Sequence, residues 1–318
     1  MSAKLNEQTK SVKVKRRNRK AQENLAGILM VAPAVVLMVI FVMGPAIYSF
    51  FLSFENYNML KPDKAMWIWF ENYIELFKDP AFYQALYNTL RYSIIVVPVQ
   101  TVIALLLATV ANQNIKGKTF FRVAYYVPAV TSAVAAASIF MFLFNTNGIA
   151  NKFLGVFGFE PVSWFNDPTY ALPLAMIMAI WATVGTQMLV FLAGLQEISS
   201  DVYEAASIDG ATSFQQFMKI TVPLLKEKTM FVLVVGMIGT LQMFDQAFII
   251  SGGNGGPLGS TTTVVLYLYN KAFGENRIGY GSAVAVVLFI IIFTLTMLQK
   301  YYFEERPKKL AQRGGKNG

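Results

Sequence analysis

Six stretches of apolar residues, at 25–54, 88–111, 120–145, 170–195, 229–251 and 280–302, constrain this chain more than anything else in it. A bilayer core about 30 Å thick is crossed by a helix of roughly 20 mostly apolar residues. In lipid the backbone must satisfy its own hydrogen bonds, and an α-helix does so within one segment. The expected fold is therefore an all-α membrane protein with about six transmembrane helices. Composition agrees: 55% of residues are hydrophobic and 14% charged, against about 25% charged in soluble domains. The mean hydropathy is +0.47.

Charge sets the orientation. Counted on alternate sides of the blocks, 20 of the 27 lysines and arginines lie on the side of the two termini. The other side holds 7: Lys61, Lys64, Lys78, Arg91, Lys152, Lys271 and Arg277. The positive-inside rule then places both termini and the loop around Glu204 in the cytoplasm. The expected organisation is a basic tail at 1–24, a membrane domain at 25–303 and a second tail at 304–318. The first block is too long for a signal-peptide core and reads as an uncleaved span. The net charge of +9 is topological in its distribution and does not indicate a nucleic-acid partner.

Histidine and cysteine are absent, which removes the commonest general base, thiolate chemistry and the usual soft metal ligands. Two stretches mimic phosphate loops. In "NIKGKT", Gly117-Lys118-Thr119 lacks the first glycine, since Asn112 stands there, and follows a span rather than a strand. "GGNGGPLGS" lacks the Lys-Ser/Thr ending and reads as a glycine-rich turn on the outer side. Neither should bind ATP.

Asp245 is the one acid well inside an expected span, with Gln242 three residues before it on the same helical face. Two readings stand: a functional carboxylate in a polar cavity, or a wetted group near the helix end. Trp181, Thr183, Thr186 and Gln187 in the fourth block suit a sugar-lined cavity and suit helix packing equally. "SAVAAAS" at 132–138, and Gly236 with Gly239, read first as small-residue packing surfaces.

The polar connection at 196–228 is far longer than a turn. Asp201 can cap a helix with Glu204 three residues on, and Gly210 can end it in a left-handed turn. Thr212 and Gln215 offer a second capping box. Phe214, Phe217 and Met218 then form an apolar stripe, and Pro223 closes the unit before the next span. This helix–turn–helix has an apolar face that packs either on the protein's own helix ends or into a partner's groove.

Glu204-Ala205-Ala206, Gly210, Ile220 and Pro223 resemble the EAA motif of permease subunits of ABC importers, with Val222 replacing the usual Leu and Ser199 a frequent Pro. "GKTFFRVAYYVPAV", "FDQAFIISGGNGGPLGSTTTVVLYLYNKAF" and "GYGSAVAVVLF" are similar to the carbohydrate branch, with Asn254 interrupting its glycine turn. The first of the two maltose-type permeases fits best, without its large periplasmic insertion; the family core would cover roughly 84–300.

The resemblance implies a multi-pass subunit in a prokaryotic cell membrane that carries a sugar. It implies a second homologous permease, two ATPase subunits holding ATP and Mg, and an extracellular solute-binding protein as partners. The chain itself would be neither an enzyme nor the holder of a cofactor or metal. The coupling loop would comprise Glu204, Ala205, Ala206, Gly210, Phe214, Phe217, Ile220 and Pro223. The candidate solute pathway is Trp181, Gln187, Gln242, Phe244 and Asp245. An ion-coupled secondary transporter using Asp245 is the alternative.

Overall fold

The computed structural model describes residues 25–113 and 116–305. The tail at 1–24, and that at 304–318 beyond residue 305, lie outside them. Among the described residues, five helices are long and apolar enough to cross a membrane: α1 (Leu25–Leu52), α2 (Pro80–Asn112), α5 (Ala171–Gln196), and the helical runs Lys226–Ser251 and Ile278–Phe303. In α1 a π-turn at Val39–Met43 leads into Pro45, and the Gly44 N–H bonds back to the Val39 carbonyl. This wider turn absorbs a residue that lacks a donor.

The third apolar block departs from the expected single span. It forms α3 (Lys118–Tyr126) and α4 (Ala133–Leu143), bent by 101° at a short break. Pro128 lies in a 3-10 turn at the end of α3, Thr131 is extended, and the Ser132 hydroxyl caps α4 by accepting the Ala135 N–H at 3.2 Å. A fresh N-cap so soon after a proline starts a new helix rather than continuing the old one.

The α2–α5 pair forms the centre of the bundle. Ala104, Ala108 and Ala111 of α2 are buried against Met188, Phe191 and Leu195 of α5. Lipid offers no hydrophobic drive between helices, so the close approach allowed by small residues supplies the attraction through packing. The same cluster includes Leu225 and Val232, which brings the end of α2, the end of α5 and the start of the next helix to one end of the bundle.

The fifth span is interrupted. Helix α8 (Lys226–Leu241) ends at Gln242, Phe244 takes a non-helical conformation, and α9 (Asp245–Ser251) restarts. The loop that follows is more than the expected simple turn. Gln84 donates to the Leu258 carbonyl at 2.7 Å, and Asn88 donates to those of Gly259 and Thr262 at 2.9 and 3.0 Å. The Thr89 hydroxyl accepts the Val264 N–H at 2.9 Å. These bonds hold the loop on α2 and lead it into α10 (Val264–Tyr269), a buried helix whose presence the sequence reading missed.

Nearby, Arg277 precedes the last span, α11 (Ile278–Lys300), and binds both oxygens of Glu75 at 2.7 and 2.6 Å. That hydrogen bonding holds the Glu75 carboxyl below its ordinary value. Glu75 belongs to a short helix, Glu71–Leu76.

Candidate functional site

The connection between α5 and α8 folds as two helices. The first, α6 (Ser200–Ile208), is capped by Ser199, whose hydroxyl accepts the Asp201 N–H at 3.3 Å. The expected Asp201–Glu204 box is not formed: Asp201 sits one turn position inside the helix, and Ser199 takes the cap because its extended backbone precedes the first helical residue. Asp201 still favours the positive end of the helix.

At the other end Gly210 has φ +79°. The Gly210 N–H bonds to the Ser207 carbonyl at 3.1 Å and the Ala211 N–H to the Ala206 carbonyl at 2.9 Å. This is the Schellman closure, in which the carbonyl reached lies four residues before the left-handed residue. The spacing from the last alanine of Glu204-Ala205-Ala206 to Gly210 is therefore a helix-ending spacing.

Thr212 and Gln215 form the second capping box as expected, at 3.3 and 2.8 Å. Helix α7 (Ser213–Gln216) passes into a π-turn at Phe217–Thr221 and on through Leu224. Pro223 does not close the unit: the wider π-turn accommodates its missing donor, and the path bends only at Leu225.

The two helices are tied together. Gln216 donates to the Ser207 hydroxyl at 2.9 Å, and the Tyr203 and Thr221 hydroxyls share a hydrogen bond of 2.9 Å. At the base, Lys228 pairs with Glu197 at 2.9 Å beside a groove of about 330 Å³ lined in part by Val202 and Leu224. The expected stripe divides: Phe217 and Ile220 turn partly inward, while Phe214 (72% exposed) and Met218 stay outside with Ile208 (87%). Glu204 and Ala205 are exposed, and Ala206 is half-buried. A self-supported unit thus presents bulky apolar side chains at its tip.

The pathway candidates do not form one group. Trp181 packs on Phe140 at 5.6 Å in an aromatic cluster with α4. Phe244 packs against Phe248 and Tyr269 at 5.2 and 5.1 Å. Gln242 ends α8 while Asp245 begins α9, so the helical face expected to unite them is broken between them, and both are exposed.

Gln187 shares the surroundings of Gly236 with a residue not singled out from the sequence. Gln100 of α2 is 1% exposed and accepts a hydrogen bond from the Thr183 hydroxyl at 2.8 Å. A side chain at Gly236 would approach the Gln100 amide at 2.8 Å and that of Gln187 at 3.6 Å. So α2, α5 and α8 share a polar layer made possible by a glycine. The one available signal was an amide in the middle of a long apolar helix.

Residues 100–309 match the family model described as the inner-membrane component of binding-protein-dependent transport systems. A lactose transport permease of Rhizobium radiobacter is 36% identical, with 92% of this chain and 98% of the relative aligned. An arabinooligosaccharide transport permease of Bacillus subtilis is 35% identical, over 86% and 87%. A trehalose/maltose transport permease of Thermococcus litoralis is 30% identical, over 88% and 94%. The fold matches a chain of a bacterial alginate ABC transporter, solved with an alginate-bound periplasmic protein, at TM-score 0.78 and 20% identity, covering 90% and 96%. Long apolar helices, a Schellman-closed EAA segment and these likenesses converge: the chain belongs to the family of inner-membrane components of binding-protein-dependent transport systems.

Proposed function

We propose that this chain is one of two permease subunits of an ATP-driven sugar importer, and that its α6–α7 unit docks on a partner ATPase. The observation that carries the docking role is the unit itself: closed by its own caps and cross-bonds, yet with Ile208, Phe214 and Met218 exposed. A segment that transmits displacement must keep its shape while its tip is held by something else. ATP and Mg belong to the partner, and an extracellular binding protein delivers the solute. Relatives named for lactose, arabinooligosaccharides and trehalose/maltose support a sugar as cargo. The ion-coupled alternative rests on Asp245, which begins a helix and is exposed rather than enclosed by this chain.

The test is Gly210→Val, which forces a β-branched residue into left-handed backbone. ATPase subunits should no longer copurify and uptake should stop, while the thermal midpoint of the membrane part is unchanged. Normal copurification with normal uptake would remove the docking role. The cargo class is tested separately, by the sugars that the cognate binding protein retains in a ligand screen. Retention of amino acids or ions alone would overturn it.

A further inference from the structure

The connection between α4 and α5 contains a helix, Ile149–Val156, that is polar inside and apolar outside. Its buried side chain is Asn151, 5% exposed. Asn151 donates to the Thr146 and Val162 carbonyls at 2.9 and 2.8 Å. It accepts the Val162 backbone N–H and the Trp164 indole N–H at 3.1 and 2.9 Å. One amide thus closes the whole connection on itself. The face opposite Asn151 carries Ile149, Phe153, Val156 and Phe157 at helical spacing, each more than half exposed and Val156 80% exposed.

The height of this helix is fixed by its neighbours. A side chain at Gly148 would run into the Phe142 and Leu143 carbonyls, so the helix starts against the last turn of α4. Trp164 packs on Phe144 at 5.4 Å and ties the far side of the connection to the same place. The helix is therefore held where α4 ends, at the end of the bundle away from the α6–α7 unit. Phe142, in that last turn of α4, is 71% exposed, so the stripe continues the apolar surface that α4 turns away from the bundle. A soluble binding protein comes and goes, and each departure would leave these side chains in water. Lipid at that level never leaves. Lys152 is exposed at one edge of the stripe. Its stem can lie along the apolar edge while its ammonium reaches lipid phosphates, whereas burial in a protein interface would demand an acid from the partner.

We infer that the helix Ile149–Val156 lies flat in the membrane leaflet at this end of the bundle, which the charge count reads as the outer one. Ile149, Phe153, Val156 and Phe157 sit among the acyl chains and Lys152 at the phosphates. The helix acts as a float: α4 has 11 residues, too few to set its own depth in a bilayer, and the float sets it. This role is independent of the docking role of α6–α7.

The chain has no cysteine, so single cysteines can carry a nitroxide label. F153C, V156C and G155C are each placed in the full chain, assembled with cysteine-free partner subunits in phosphatidylglycerol–phosphatidylethanolamine nanodiscs. Gly155 is exposed off the stripe, and a side chain there meets nothing within 4 Å, which makes it the water-facing control. Oxygen, which concentrates among acyl chains, should relax the labels at 153 and 156, and a water-soluble nickel chelate should not. At 155 the order should reverse. Relaxation by the chelate at all three positions overturns the inference if it persists when the binding protein is added. Its loss at 153 and 156 on that addition alone overturns it too, and assigns the stripe to the binding protein. Protection of 153 and 156 from both relaxants overturns it in favour of a second permease.

Discussion

The α6–α7 unit and the glycine-rich loop between α9 and α10 both turn on glycines with left-handed backbone, and they are held in opposite ways. Gly210 (φ +79°) has open space around it: a side chain there would meet nothing within 4 Å. Gly255 (φ +83°) is pressed against the Thr262 side chain. The first turn is closed by bonds inside its own unit alone, whereas the second adds to its internal bonds the amides reaching across from α2. A unit that is rigid by itself and exposed can be gripped without disturbing the bundle. A loop held by the bundle moves when the bundle moves.

That contrast can be broken most directly at the two glycines. Gly255→Ala should cost about 2–5 kcal/mol, combining left-handed strain with overpacking against Thr262. Gly210→Ala should cost about 1–2 kcal/mol, from the strain alone. Thermal unfolding in detergent measures the first, and hydrogen exchange confined to 199–225 the second. Equal global destabilisation by both would end the distinction. Next, Asn88→Leu strands the Gly259 and Thr262 carbonyls and should cost about 2–4 kcal/mol of whole-protein stability.

Within the α6–α7 unit the bonds are exposed, so the effects are smaller. Gln216→Ala removes the link to Ser207 and should cost about 0.5–1.5 kcal/mol. Proteolysis should quicken within the unit while the unfolding midpoint stays fixed. The smallest effect is electrostatic. The lowered Glu75 carboxyl contributes stability at pH above its ordinary value of 4.5. That contribution disappears as pH falls through its depressed folded value. Glu75→Gln should flatten the acid limb of a stability–pH curve near and below pH 4.5, and an unchanged limb would show that the Arg277 pair contributes nothing.

How much of this could be read from residues alone follows the range of the forces involved. The first, second, fourth and sixth apolar blocks, the Gly210 turn and the Thr212–Gln215 box depend on neighbours within a few positions, and they stand close to where hydrophobic patterning and capping chemistry place them. Ser199 displaced Asp201 because adjacent candidates compete for one cap. The break between Gln242 and Asp245 defeated a spacing argument that assumed an unbroken helix. Helix α10 was hidden because Asn88 and Thr89, about 170 residues away in sequence, hold its entrance. Gln100 went unnoticed because its partner Thr183 lies on another helix.

The 101° bend between α3 and α4 bears on how the protein enters its membrane. Each arm falls short of the roughly 20 residues that let a segment leave the insertion channel as a stable crossing. Moreover, the extended backbone at Thr131 and Ser132 would be costly in bare lipid without protein around it. This region is therefore expected to wait for α5, which receives both arms. Nascent chains halted after residue 145 should be extracted from membranes more readily at this segment than chains halted after residue 196. Assembly of the third crossing would then be an act of the growing bundle rather than of its own hydrophobicity.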